Sequence, residues 1–440
     1  MTTQDARGLA MTGADSAAAD GFEAALAEFQ CYVGNPVGTI EAALQARPGF
    51  AMGHVLRGYL YGSSAEAPGL REAGLSLEAA RALPTNAREG LHVAALEALA
   101  AGAFDTAVER WETLLVEHPR DILALQIAHL IDFFRGDARN LRDRVARRLH
   151  AWTKTDPGYH AMLSMHAFGL EEMGEYDRAE ERGRESVGLN ARDGWGYHAV
   201  AHVMEMRNQP EDGIRWLSSS SAHWSPDSFF DVHNWWHLAL YHLELDHLDE
   251  VLKLYDGPIR GEHSAVALDL VDAAALLWRV MLRGHDVGGR WREVADGWAP
   301  TIADGVYAFS DVHALMAYVG AGDDARIEQQ LATLRRSAGS DGDSSNRAMA
   351  REVGVPVGEA LVAFGRGRYR DVIERLQHLR PVAHRFGGSH AQRDLLDLTL
   401  IEAAKRAGDK NLFAALASER GACRPRSPLA RRYREAAQAA

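Results

Sequence analysis

Apolar residues recur every three or four positions along most of the chain, and period-two alternation is scarce. That rhythm puts one hydrophobic stripe on a helix, and the dominance of Ala, Leu, Glu and Arg agrees with it. Short clusters of Gly, Pro and Asp interrupt the pattern: ARPGF (46–50), HPRD (118–121), KTDPG (154–158), NARDG (190–194), NQPEDG (208–213) and YDGP (255–258). Such brief breaks predict antiparallel helical hairpins joined by short loops.

The hairpins share a motif. In GAFDTAVERWETLLVEHP (102–119), Gly102 stands in the turn and Phe104 follows it. Ala107 lets two helices approach, Trp111 fills the space between them, and Pro119 ends the unit. Gly174, Tyr176 and Ala179 repeat the order, as do Gly367, Tyr369 and Pro381, and further units start near Asn208 and Leu245. The pattern resembles the tetratricopeptide repeat, a helix–turn–helix unit of about 34 residues. Gly174 and Asn208 are 34 residues apart, whereas other steps are longer, so the hairpins are irregular. One hairpin cannot bury its own apolar stripe, so neighbours must stack.

The predicted fold is therefore all-α. A small, polar, loose arm (1–20) precedes a tetratricopeptide-type α-solenoid of irregular helical hairpins (21–337). The polar stretch AGSDGDSSNRA sets a mobile loop at 338–348. C-terminal helical repeats of the same domain (349–440) close the array, the last starting at Ser427-Pro428. Trp111, Phe133, Phe134 and Tyr369 are assigned to the core between repeats.

Charge narrows the partners. The chain of 440 residues carries a formal charge of -13 at pH 7, which disfavours nucleic acid and anionic lipid. The densest basic run, RNLRDRVARR (139–148), reads as a solvated helix face. No apolar run approaches bilayer length and the N-terminus lacks a signal-peptide pattern, so a cytoplasmic location is expected. Two cysteines, Cys31 and Cys423, exclude a disulfide framework and an all-cysteine zinc site.

The unusual chemistry is in the histidines, of which there are 20. HAVAHVME sets His198, His202 and Glu205 at i, i+4 and i+7, and HNWWH sets His233 and His237 at i, i+4. Two such pairs on consecutive hairpins can converge. Neutral imidazoles in that geometry bind a divalent transition metal through His198, His202, His233 and His237, with Glu205 as ligand or base. The alternatives are proton carriage by the same rings and a purely structural polar network. Asp311 stands two residues before His313 and either orients that ring or acts as a base. In LDLVDAAALLWR, Asp269 and Asp272 with Arg279 read as a buried ion pair. In GGSHAQRD (387–394), Ser389 is a helix cap, and Arg393 beside Asp394 suits recognition of a carboxylate or phosphate. No phosphate loop, dinucleotide fingerprint or nucleophile elbow is present, so no nucleotide cofactor is expected.

MGHVLRG (52–58), REGLHVAALEALAAGAFDTA (88–107), HAVAHVMEM (198–206), HNWWHLALY (233–241), the Asp311/His313 pair and GGSHAQRD resemble the tetratricopeptide repeat protein 38 family over nearly the whole chain. The resemblance implies one long helical-repeat domain and no particular reaction. It also covers His54, His92, His129 and Glu172. The candidate site takes ligand on His129, Glu172, Trp236, Arg393 and Asp394, beside a catalytic set of His198, His202, Glu205, His233, His237, Asp311 and His313. Two functions follow. One is a small-molecule binder, an enzyme of hydrolase or lyase type, with a His/Glu/Trp-lined pocket on a concave face. The other is a scaffold binding a peptide in its groove, with structural histidines. A homodimer is compatible with either.

Overall fold

The structure, a computed structural model, describes residues 2–439. It is all-α apart from one short hairpin among the described residues, and its helical hairpins are of the tetratricopeptide type. The sequence dictates where helices begin. Asp15, Asp121, Asp137, Asp323 and Asp409 each cap a first turn through the side chain, and Asn86 with Glu89 forms a capping box.

The turns inside the hairpins follow one rule. The chain enters the left-handed region at Gly102, Gly136, Gly174, Asn208, Asp246, Gly284, Gly322, Gly367 and Gly408. Steps of 34 residues separate Gly102 from Gly136 and Gly174 from Asn208. Steps of 38 carry it from Asn208 through Asp246 and Gly284 to Gly322. Only glycine adopts that conformation without cost, and Asn and Asp tolerate it best among the rest. The repeat is thus written in backbone conformation.

The chain divides into two compact units, and the division falls inside the Gly194–Met206 helix. One unit gathers the chain up to Val200 with Ser221–Asp231 and Asp341–Ser345. Here each helix packs on the next, and Ala51–Gly62 also packs on Ala87–Ala100, the first helix of the following hairpin. The Trp111 indole, fully buried, donates to the Tyr59 hydroxyl at 2.9 Å. Tyr59 donates to the His92 carbonyl at 3.0 Å, and His92 Nε2 meets Asp121 at 2.9 Å. This polar thread is closed at both ends, so it locks hairpins together rather than offering a site.

Three sequence expectations change in this unit. Residues 2–12 are no loose arm: Thr2–Gln4 pairs antiparallel with Ala10–Thr12. Asp5 accepts from the Arg7 and Leu9 amides to tighten the turn, and Met11 is fully buried. The basic run at 139–148 is a solvated face only in part, with Arg139 and Arg147 exposed. Arg144 and Arg148 are buried, with Arg144 forked onto Asp132 at 2.7 and 3.1 Å and Arg148 on Glu112 at 2.8 Å. Their partners lie on preceding helices, beyond the reach of a local charge pattern. The polar stretch 338–348 is helical at both ends, and Ser345 is pinned, donating to Asp105 at 2.6 Å and to the Gly102 carbonyl at 3.1 Å. Trp111 and Phe134 are core, while Phe133 and Tyr369 are half-buried.

The other unit gathers Ala201–Ser220, Val232–Ser340 and the chain from Asn346 onward. Its hairpins also pack in order, and His390–Arg406 reaches back to pack against Ala267–Leu282. The Trp278 indole donates to Thr399 across that contact at 3.0 Å. Ser389 and Gln392 cap the first turn of the closing helix as a capping box. A Cβ on Gly213 would lie 2.3 Å from the Tyr241 ring, so glycine is what lets Tyr241 reach the Ala201 carbonyl. Cys31 and Cys423 are free thiols. No described helix is long and apolar enough to cross a membrane.

Trp111→Ala should cost about 3–5 kcal/mol, the usual range for emptying a large aromatic site. Denaturant unfolding of the variant measures it; a loss under 1 kcal/mol would contradict the core assignment.

Candidate functional site

The site belongs to the second unit and is built from three helices. Gly194–Met206 contributes His202 and Glu205, Asp231–Glu244 contributes His233, Trp236 and His237, and Ala267–Leu282 contributes Asp272 and Arg279. The i, i+4 spacing stacks His233 and His237 on one face. The His237 ring lies 4.5 Å from that of His202 and 4.9 Å from that of His233. Each of the three imidazoles offers a nitrogen within 4.8 Å of those of the other two.

Two carboxylates orient the rings. His233 Nδ1 lies 2.7 Å from Asp272 Oδ2, and His237 Nδ1 lies 3.1 Å from Glu205 Oε2. A proton shared with a carboxylate at Nδ1 leaves the lone pair on Nε2. Burial holds His237 neutral, its pKa well below the usual histidine value, and His202, His233 and Arg279 add to the effect. Burial raises the Glu205 pKa, against the pull of Arg424 and His202. A neutral ring whose Nδ1–H is held by a carboxylate can bind a metal or pass a proton through Nε2.

Trp236 has another role than a stacking platform for ligand. It is fully buried, stacked on His233 at 5.3 Å and 17°, with the Arg279 guanidinium 5.3 Å from its ring centre. It clamps these two side chains in place. Arg279 does not pair with Asp272, which is two turns away along the helix and turned to His233. Instead it donates to the carbonyls of Ala275, Ala391 and Gln392 at 3.2, 2.8 and 3.3 Å.

His198 is one turn before His202 on the same helix and falls in the first unit. There it stacks on Phe168 at 5.3 Å and meets Trp195 at 4.5 Å and Phe230 at 5.2 Å. His129 shares that aromatic nest, 6.2 Å from Phe168, and burial lowers its pKa to about 3. Glu172 is buried in the same unit. Asp311 and His313 point to different partners because two residues on a helix turn through about 200°. Gln330 donates to Asp311 at 2.9 Å, whereas His313 Nδ1 donates to the Phe309 carbonyl at 2.8 Å. Burial raises Asp311 to about 7 and lowers His313 to about 4. Arg393 turns back to the Gly388 carbonyl.

Asp394 is held by Arg420 in a two-pronged pair at 2.9 and 3.0 Å, with Arg424 at 3.6 Å. Burial works against its ionisation, but Arg420 and Arg424 hold its carboxyl well below the usual range. Asp394 and Glu205 line one cavity of about 50 Å³. Sequence reasoning missed Asp272 as an orienting group and missed Arg420 and Arg424 altogether. Asp272 carried a signal, being an acid on an apolar helix face; the two arginines, on a polar C-terminal stretch, carried none.

Asp311 supplies a pH test. Its folded pKa lies above the unfolded value, so the folded state binds the extra proton, and stability contributed there falls as pH rises from about 4 to about 7. Asp311→Asn should remove that slope, up to about 1.4 kcal/mol per pH unit, with no change above pH 7. Denaturation midpoints of both proteins across the range check it; parallel curves would contradict it.

No family model matches the chain. The solved structures it is similar to include three at 12% identity. They are the TPR domain of P58(IPK), covering 89% of this chain and 98% of that one with a TM-score of 0.23; yeast Tom70, covering 94% and 86% with 0.34; and Naa15/Naa10 bound to HypK-THB, covering 96% and 67% with 0.26.

Proposed function

We propose that this helical-repeat protein holds a divalent transition metal on His202, His233 and His237 and acts on a small molecule beside it, by hydrolysis or lyase-type proton transfer. The observation that carries the reading is the pair of carboxylates on the far nitrogens of two clustered rings. A metal-binding histidine nearly always donates its other N–H to such a group, which fixes the ring and strengthens it as a donor. Clustered imidazoles suit zinc, which would supply Lewis acidity and an activated water when bound. Glu205, raised in pKa and joined to His237, is the proton carrier. His198, one turn before His202, is a further ligand candidate from helical spacing alone. The assignment to the tetratricopeptide repeat protein 38 family belongs to this reading.

A second reading keeps the three rings as a structural network inside a peptide-binding scaffold. It draws on burial, since His202 and His237 are fully covered.

Elemental analysis of the purified full chain separates the two. About one equivalent of zinc, or of a neighbouring transition metal, is expected, lost in His202→Ala and in His237→Ala. Asp272→Asn should retain the fold and weaken metal affinity roughly 10–100-fold. Metal-free protein that takes up no added zinc would establish the structural reading.

A further inference from the structure

The cavity next to the imidazole cluster has walls of mixed charge with an uneven balance. Arg279, Arg283, Arg420 and Arg424 face Glu205, Glu244 and Asp394. Four guanidinium groups therefore meet three carboxylates. The walls carry surplus positive charge within a chain whose net charge is -13.

The surplus can be traced to one residue. Arg420 and Arg424 hold Asp394, and Arg283 holds Asp246 at 2.7 Å with Glu244 at 3.8 Å. Arg279 has only 4% of its surface exposed, yet its hydrogen bonds go to three backbone carbonyls and no carboxylate among the described residues ion-pairs with it. Asp394 and Glu205 act on it only from beyond ion-pair distance, and a buried cation with no anion in contact is costly. Its lowered pKa, about 10, has burial as its main cause.

We infer that this cavity binds a compact oxyanion, a carboxylate or phosphate group, as the counter-ion of Arg279. Arg424 contributes from the other wall, and Glu205 stands beside the bound group. The inference rests on the proposed small-molecule function and deepens it: the substrate is a small acid. Size supports this. At roughly 10–15 Å³ per water, the cavity holds only a few waters, enough for an oxyanion head and too little for a peptide segment. Guanidinium groups match the planar fork of a carboxylate and the faces of a phosphate equally well. The bound anion would lie next to Glu205, whose other contact is His237, so the acid group of the substrate is anchored where the proton carrier meets the imidazole cluster.

The full chain is titrated calorimetrically with sodium phosphate in one arm and sodium acetate in another, at constant ionic strength set by chloride. Saturable binding of one anion per chain is expected in at least one arm, and the arm that responds assigns the class. Arg279→Gln and Arg424→Gln should each weaken it tenfold or more; Arg424 is less buried than Arg279, so its variant keeps the test valid if Arg279→Gln fails to fold. His233→Ala, which strikes the imidazole cluster away from the cavity, should abolish metal uptake and leave anion binding within about twofold. No saturable binding of either anion, or binding unchanged in Arg424→Gln, would overturn the inference while leaving the metal assignment standing. Anion binding without metal uptake would sustain it and remove the metal.

Discussion

Two hydrogen bonds, from His233 to Asp272 and from His237 to Glu205, govern what this site can do. An imidazole in water prefers no fixed tautomer strongly enough to be relied on inside a protein. A carboxylate at Nδ1 settles the matter, because it accepts a proton there and leaves the opposite nitrogen basic. Asp272 is buried and Glu205 half-buried, which is expensive unless the protons they share stabilise them. Their presence on two adjacent rings is hard to account for by packing, since an apolar pair of similar volume would cost less.

The closing helix maintains this arrangement. His390–Arg406 lies on Ala267–Leu282, the helix that carries Asp272 and Arg279. Its first-turn carbonyls receive the Arg279 guanidinium, and Asp394, one turn in, gathers Arg420 and Arg424. A capping box at Ser389 and Gln392 fixes where that first turn begins. Trp236 then sits between His233 and Arg279 as a rigid spacer. A chain of short, satisfied contacts thus runs from the helix cap to the imidazoles, and the cavity is the gap it leaves.

Much of the fold was legible because helical periodicity and turn chemistry are local. Gly102, Gly174 and Gly367 announce their turns; Asp246 does the same work without a glycine and is harder to see. The His-xxx-His pairs were legible for the same reason, since four residues on a helix share a face. The unreadable parts depend on distant partners. Arg144 looks like surface charge until Asp132 is found beside it. Arg279 looks like the partner of Asp272 until each is seen to face away, one to backbone carbonyls and one to His233. The Asp311 and His313 pair was close in sequence yet separate in chemistry, because two positions on a helix diverge. The N-terminal hairpin was hidden by small polar residues whose order comes from Asp5 and the buried Met11.

The most direct test of the account is the tautomer of the two oriented rings, read by long-range nitrogen–proton correlation NMR on protein labelled with nitrogen-15 histidine and stripped of metal. The account requires His237 to be neutral, and both it and His233 to carry a proton on Nδ1 shared with the carboxylate, the tautomer less favoured in free histidine. Rings that carry the proton on Nε2, or that exchange freely between the two forms, would contradict it.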